Sequence, residues 1–127
     1  MVDYATGLTQ LDIRPNTSVV VATRGHREDD RALEAAVRSP AGYVGLVGSK
    51  RKTILIYEEL LQHGIPLERL KAVHSPVGLD IGAKTPEEIA ISIMAEIVAF
   101  REGRPGKTLA MESRYLKKIA DKVGVPS

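Results

Sequence analysis

Residues 41–52, Ala-Gly-Tyr-Val-Gly-Leu-Val-Gly-Ser-Lys-Arg-Lys, constrain the fold more than any other stretch of the chain. A short apolar run punctuated by glycine passes straight into Gly48-Ser49 and then three consecutive cations, Lys50, Arg51 and Lys52. A helical pattern follows at once in Ile54, Leu55, Tyr57, Leu60 and Leu61. A strand that ends in small residues at a helix N-terminus is suited to an anion. The first amides of the helix have no partner within it, and the helix dipole is positive at that end. Gly48 permits close approach to the backbone, and Ser49 either caps the helix or bonds a phosphate oxygen. The glycine spacing, Gly42-x-x-Gly45-x-x-Gly48, is neither the dinucleotide-binding G-x-G-x-x-G nor a P-loop. A tight turn with a solvated basic face explains the same residues, and spacing alone leaves both readings open.

The flanking segments alternate between strand and helix. Residues 18–23, Ser-Val-Val-Val-Ala-Thr, read as a buried parallel strand, apolar on both faces. Glu28, Asp29 and Asp30 are predicted to open a helix as plain helix-start acids, with Leu33, Ala36 and Val37 as its apolar stripe. A second strand is expected over 43–47 and a second helix over 49–63, stopped by Gly64 and Pro66. Residues 66–70 suggest a helical turn, and 72–74 a weak third strand. Thr85-Pro86-Glu87-Glu88 is a strong helix start, with a capping box and proline in the first turn. That helix is predicted to run to about Glu102, with Ile89, Ile93, Ile97 and Phe100 as a core stripe widened by Ile91, Met94 and Val98. Residues 111–123 carry a further helical pattern.

Alternation of this kind implies an α/β domain with a parallel sheet and flanking helices. Only about three strands are legible, against the five or six of a doubly wound domain, so an opening βαβ unit is missing from the pattern. The domain is expected over residues 1–106, with a helical tail over 107–127.

Several function classes fall away on composition. The 127 residues contain no cysteine, which excludes disulfides, thiolate zinc sites and a thiol nucleophile. With one Phe, no Trp and a net charge of +2, neither a base-stacking platform nor a strongly basic surface is present, and no nucleic-acid partner is expected. The longest apolar tract, 89–100, is too short to span a bilayer and contains Glu96. The expected setting is cytoplasmic, with no membrane partner.

Three motifs, taken together, resemble a known family. They are Thr23-Arg24-Gly25-His26, the 43–52 stretch, and residues 74–90, His-Ser-Pro-Val-Gly-Leu-Asp-Ile-Gly-Ala-Lys-Thr-Pro-Glu-Glu-Ile-Ala. Over roughly 8–106 the chain is similar to the C-terminal Rossmann-like domain of the XdhC/CoxI family, accessory proteins of xanthine dehydrogenase and related molybdenum hydroxylases. The resemblance implies binding or delivery of molybdenum cofactor (molybdopterin) to a hydroxylase apoenzyme, by a cofactor-handling protein rather than an enzyme. The N-terminal domain usual in the family, and the Gly-rich turn after the first Rossmann strand, are absent from the pattern. A homodimer, or a complex with a chain supplying the missing N-terminal part, is therefore expected, through the 18–23 strand edge or the 85–102 helix.

In an open parallel sheet, ligands sit beyond the carboxyl ends of the strands. The loops expected there gather Arg24, His26, Gly48, Ser49, Lys50, His74 and Asp80 as candidate cofactor-binding residues. A basic loop suits a phosphate; His, Asp and backbone groups suit a pterin edge. Each has a plainer reading: His26 as a helix-start residue, His74 as a hydrogen-bonded core histidine, Asp80 as an Asx turn between glycines. Arg51 and Lys52 are expected to face solvent, and His63 to be a cation at a helix C-terminus. No metal site and no catalytic triad emerge from the spacing. Two other functions stay open. One is a nicotinamide-dependent oxidoreductase using NAD(P), which lacks its G-x-G-x-x-G turn. The other is a non-catalytic interaction module derived from a Rossmann half.

Overall fold

The computed structural model describes residues 7–8, 10–22 and 26–126, with the side chains of His26 and Arg27 outside that description. The elements run β1 (Ser18–Val21), α1 (His26–Arg38), β2 (Tyr43–Leu46), α2 (Lys50–Gln62), α3 (Leu67–Lys71), α4 (Pro86–Arg101) and α5 (Ser113–Val123). β1 and β2 pair in parallel, with Val19 opposite Val44 and Val21 opposite Leu46. The third strand expected over 72–74 is reduced to one parallel bridge, between His74 and Gly45. Its backbone bonds are nevertheless regular: the His74 amide donates to the Val44 carbonyl at 2.9 Å, and the Leu46 amide to the His74 carbonyl at 3.0 Å. The cis peptide Ser75–Pro76 follows immediately.

β2 is therefore central and buried at all four positions, and its alternation assigns the two faces of the sheet. Val44 and Leu46 join Val21, Leu33, Ala36, Val37, Ile56, Leu60, Ile65 and Leu70 in one apolar core under α1, α2 and α3. Tyr43 turns the other way, toward α4. Its hydroxyl donates to Glu96 Oε1 at 2.6 Å, and its ring lies edge-on to Phe100 with centroids 5.4 Å apart. Helices thus cover both faces. Arg69 ties α3 to α1 by donating to the Val37 carbonyl at 2.7 Å, satisfying an acceptor at the C-terminal turn of α1.

The structure corrects several expectations. β1 ends at Val21, and it is not buried on both faces: Ser18 is exposed and Val19 and Val20 are half-buried, because helix cover reaches only the side facing the core. α1 begins at His26 rather than Glu28. Asp29 stands in the first turn of α1 as a helix-start acid and Asp30 follows it, but both are buried, and Asp29 pairs with Lys52, which is only partly exposed instead of facing solvent. The buried stripe of α2 is Thr53, Ile56 and Leu60, whereas Ile54, Leu55 and Leu61 are exposed. The greatest departure is α4, where Ser92 is the buried residue and Ile89, Ile91, Met94, Val98 and Phe100 are exposed.

Candidate functional site

β2 delivers the chain to Val47 and Gly48 at the carboxyl edge of the sheet, where α2 begins. Ser49 adopts extended backbone (φ −73°, ψ 161°) and caps α2, its Oγ accepting from the Lys52 amide at 3.2 Å. The capping bond takes one Ser49 lone pair; the hydroxyl proton stays available to a ligand. The first amides of α2 open beside Gly48. A Cβ at Gly48 would meet only the flexible Lys52 side chain, at 3.3 Å. A Cβ at Gly45 would instead strike Val77 at 2.5 Å, and one at Gly42 would strike the Pro15 carbonyl at 1.9 Å. Of the three evenly spaced glycines, two serve chain-to-chain packing and only Gly48 leaves room for a ligand.

The wall opposite is the 76–83 loop. It is held to α4 at one point, where Gly78 has φ +106° and a Cβ would sit 2.5 Å from Ser92 Oγ. The Leu79 amide donates to the Ser92 carbonyl at 3.1 Å, and Ser92 Oγ donates to the Ile89 carbonyl at 2.8 Å. Between the loop, Val47-Gly48 and the start of α4 lies an open cleft of about 410 Å³. Its lining includes Gly48, Val77, Gly78, Asp80, Ile81, Ile89 and Ser92, so the walls are largely aliphatic side chains and glycine backbone. Such a lining suits a flat, heteroatom-edged ring held by backbone groups.

A hydroxyl relay fixes the floor of the strand-to-helix turn. Buried Thr53 donates to the Ser49 carbonyl at 2.9 Å, and its Oγ1 lies 2.7 Å from Ser75 Oγ. These residues were not among the sequence candidates. The signal for Ser75 was its place beside Pro76 in the 74–90 motif. Thr53, four residues after Ser49, had none beyond its position in the first turn. Lys52 closes the same turn from the other side through its ion pair with buried Asp29.

The structure brings together some candidates and separates others. Gly48 and Asp80 line the cleft, and Ser49 and Lys50 follow Gly48 at its rim, both exposed. His74 does not line it. As the bridge residue beside Gly45, it turns onto the sheet face covered by α4. There it stacks on Tyr43 with ring centroids 4.4 Å apart, and its Nδ1 lies 3.2 Å from Glu96 Oε1. Burial and the neighbouring Glu96 carboxylate together push the Tyr43 phenol above its ordinary range. Arg24 lies outside the described residues, and His26 opens α1 at the same sheet edge with its side chain outside the description. His63 caps the C-terminus of α2, with Nδ1 3.1 Å from Glu34 Oε1. Among the described residues, no group of three or more His, Cys, Asp or Glu side chains could hold a metal ion, and no helix is long and apolar enough to cross a membrane.

A parallel sheet with helices on both faces, and a cleft at the carboxyl ends of its strands, defines a Rossmann-type domain. The chain belongs to the XdhC family: residues 2–97 match the XdhC Rossmann domain. It is similar to the protein named uncharacterized protein YqeB of Escherichia coli (strain K12), at 39% identity over 103 residues, covering 81% of this chain and 19% of that protein. It is also similar to the molybdenum cofactor insertion chaperone PaoD of Escherichia coli (strain K12), at 27% identity over 97 residues, covering 76% of this chain and 30% of that protein. Among solved structures, a xanthine dehydrogenase from Bacillus halodurans superposes with a TM-score of 0.63 at 35% identity, covering 81% of this chain and 30% of that one. The chain thus spans between 19% and 30% of the length of these curated relatives.

Proposed function

We propose that this chain is an accessory domain in the maturation of molybdenum hydroxylases, of the xanthine dehydrogenase or CO dehydrogenase type, and that it binds or helps to deliver molybdenum cofactor to the apoenzyme. The observation that carries the reading is the juxtaposition, across one cleft, of the open N-terminus of α2 at Gly48 with the glycine-bounded 78–82 loop. Membership of the XdhC family and similarity to a protein named as a molybdenum cofactor insertion chaperone support it. The cofactor is cargo here. Its phosphate would take the amides after Gly48, the Ser49 hydroxyl and the Lys50 ammonium. Its pterin edge would meet Asp80 and the loop amides, and Arg24 and His26 stay candidates for it from the sequence alone. His74 would act at one remove, fixing α4 through Glu96 and so holding Ser92 against the loop. With no cysteine in the chain, contact through the pterin and phosphate fits these residues better than direct ligation of the metal.

The test is an absorbance titration of the purified chain with isolated molybdopterin, beside a parallel titration with NADPH. Saturable pterin binding that Lys50→Ala and Asp80→Ala each weaken, with no response to the dinucleotide, is the expected outcome. Dinucleotide binding without pterin binding would establish the oxidoreductase alternative, and silence to both would leave an interaction module.

A further inference from the structure

We infer that Thr53 and Ser75 are positioning residues that lock the two walls of the cleft together, so that the fold favours a ligand engaging both walls at once. The identity of that ligand rests on the cofactor reading above; the coupling itself rests on geometry. Thr53 is buried in the first turn of α2, and Ser75 is half-buried just before the 76–83 loop. They lie 22 residues apart in the chain, yet their hydroxyl oxygens are 2.7 Å apart. Thr53 donates its one hydroxyl proton to the Ser49 carbonyl at 2.9 Å, so toward Ser75 it accepts. The hydrogen bonds therefore run from Ser75 to Thr53 to the Ser49 carbonyl, from one wall to the other.

The Ser49 carbonyl is held twice by the same residue, because the Thr53 amide also donates to it, at 3.0 Å. A trans peptide is planar, with its C=O and N–H opposed. Fixing the Ser49 carbonyl thus fixes the direction of the Lys50 amide, which has no partner within the helix. A threonine that bonds the carbonyl four residues back is ordinary helix chemistry. Its second bond, to Ser75, is supplied by another part of the fold. Valine would fill the same space without needing any partner, whereas a buried hydroxyl is costly unless it is bonded. On the other wall, the Val77 amide donates to the Leu46 carbonyl at 3.1 Å. The loop is therefore tied to β2 by its backbone and to α2 by the Ser75 hydroxyl. A small anion meets the Gly48-Ser49 turn alone and can follow it if it shifts. A ligand with both a phosphate and a ring meets both walls, so its affinity depends on how they are spaced.

The test compares Thr53→Val, Ser75→Ala, the double variant and Thr53→Ser, each checked for its fold by circular dichroism. Isolated molybdopterin is titrated by absorbance, and inorganic phosphate by the amide shifts of Gly48, Ser49 and Lys50. Thr53→Val and Ser75→Ala should each weaken molybdopterin binding about tenfold and change phosphate binding by less than about twofold. The double variant should lose no more than either single one, because one interaction is cut twice. Thr53→Ser keeps the hydroxyl and should bind as the wild type does. Amide hydrogen exchange reads the coupling without any ligand. Ser75→Ala should speed exchange at Lys52, whose amide bonds Ser49 on the opposite wall, and Thr53→Val should speed it at Val77. Unchanged exchange across the cleft overturns the inference. So do additive losses in the double variant, or an equal loss of phosphate binding, which would place the damage in the turn alone. A wild type that binds no molybdopterin defeats the cofactor reading instead, and the exchange result then decides the coupling by itself.

Discussion

Replacing Tyr43 with Phe removes one hydroxyl from a buried ring and leaves the rest of its packing in place. Tyr43 is 2% exposed, stacks on His74 and donates at 2.6 Å to Glu96, the residue that anchors α4 to the sheet. A hydrogen bond to a charged acceptor contributes about 1.5–3 kcal/mol. Glu96 keeps His74 Nδ1 at 3.2 Å in the variant, so the loss should lie at the lower end, about 1.5–2 kcal/mol. Urea unfolding at neutral pH reads this directly, as a shift of midpoint with unchanged slope. The alkaline limb gives an independent check. The folded state holds the Tyr43 proton more tightly than the unfolded chain does, because burial and Glu96 both oppose the phenolate. That stabilisation is complete below pH 10 and falls as pH rises above it, by about 1.4 kcal/mol per pH unit while the folded group stays protonated. Tyr57, also raised by burial, keeps its own share in the variant. The wild type should therefore lose stability more steeply than Tyr43→Phe above pH 10. A neutral-pH change below about 0.5 kcal/mol, together with parallel alkaline profiles, would refute the anchoring role given to this cluster.

Other substitutions probe the turn, the loop and the cap. Lys52→Met removes the lysine paired with the buried Asp29 carboxylate and should cost about 1–3 kcal/mol in chemical unfolding, with Lys52→Arg recovering part of the loss. Gly78→Ala forces a side chain into φ +106° against Ser92 and should cost about 2 kcal/mol or more, read as a lowered melting temperature; a neutral result would show that the loop moves freely. Thr85→Ala removes the cap of α4 and should cost about 1 kcal/mol. The backbone amides of Thr85 and Lys84 hold the Glu88 carboxyl below its ordinary value, so the contribution of Glu88 to the cap is complete above pH 4.5 and fades as pH falls below it. In thermal melts, wild type and Glu88→Ala should therefore converge in acid.

Where chain chemistry is local, the sequence was legible. Thr85, Pro86 and Glu88 announced the start of α4, and both halves of the capping box are present. The passage from β2 through Gly48-Ser49 into α2 was equally plain, because the glycine, the cap and the apolar periodicity agree within a few residues. Long-range pairing was not legible. Asp29 and Lys52 look like ordinary surface charges until the chain folds them against each other. His74 belongs by sequence to the loop motif, but a single β-bridge turns its ring onto the opposite face of the sheet. Gly45 and Gly78 resemble ligand-binding glycines, yet each makes room for a neighbouring side chain. The breadth of the α4 stripe implied cover on several sides, and no feature of that pattern could name what supplies it.

The central claim is that the cleft beside Gly48 takes a phosphate-bearing pterin. Native mass spectrometry of the chain purified from molybdate-replete cells tests it most directly. The account predicts an added mass equal to molybdopterin or its molybdenum form, lost from a Lys50→Ala/Asp80→Ala variant that still folds. A bare chain after purification, or a pterin adduct that survives both cleft substitutions, would contradict it.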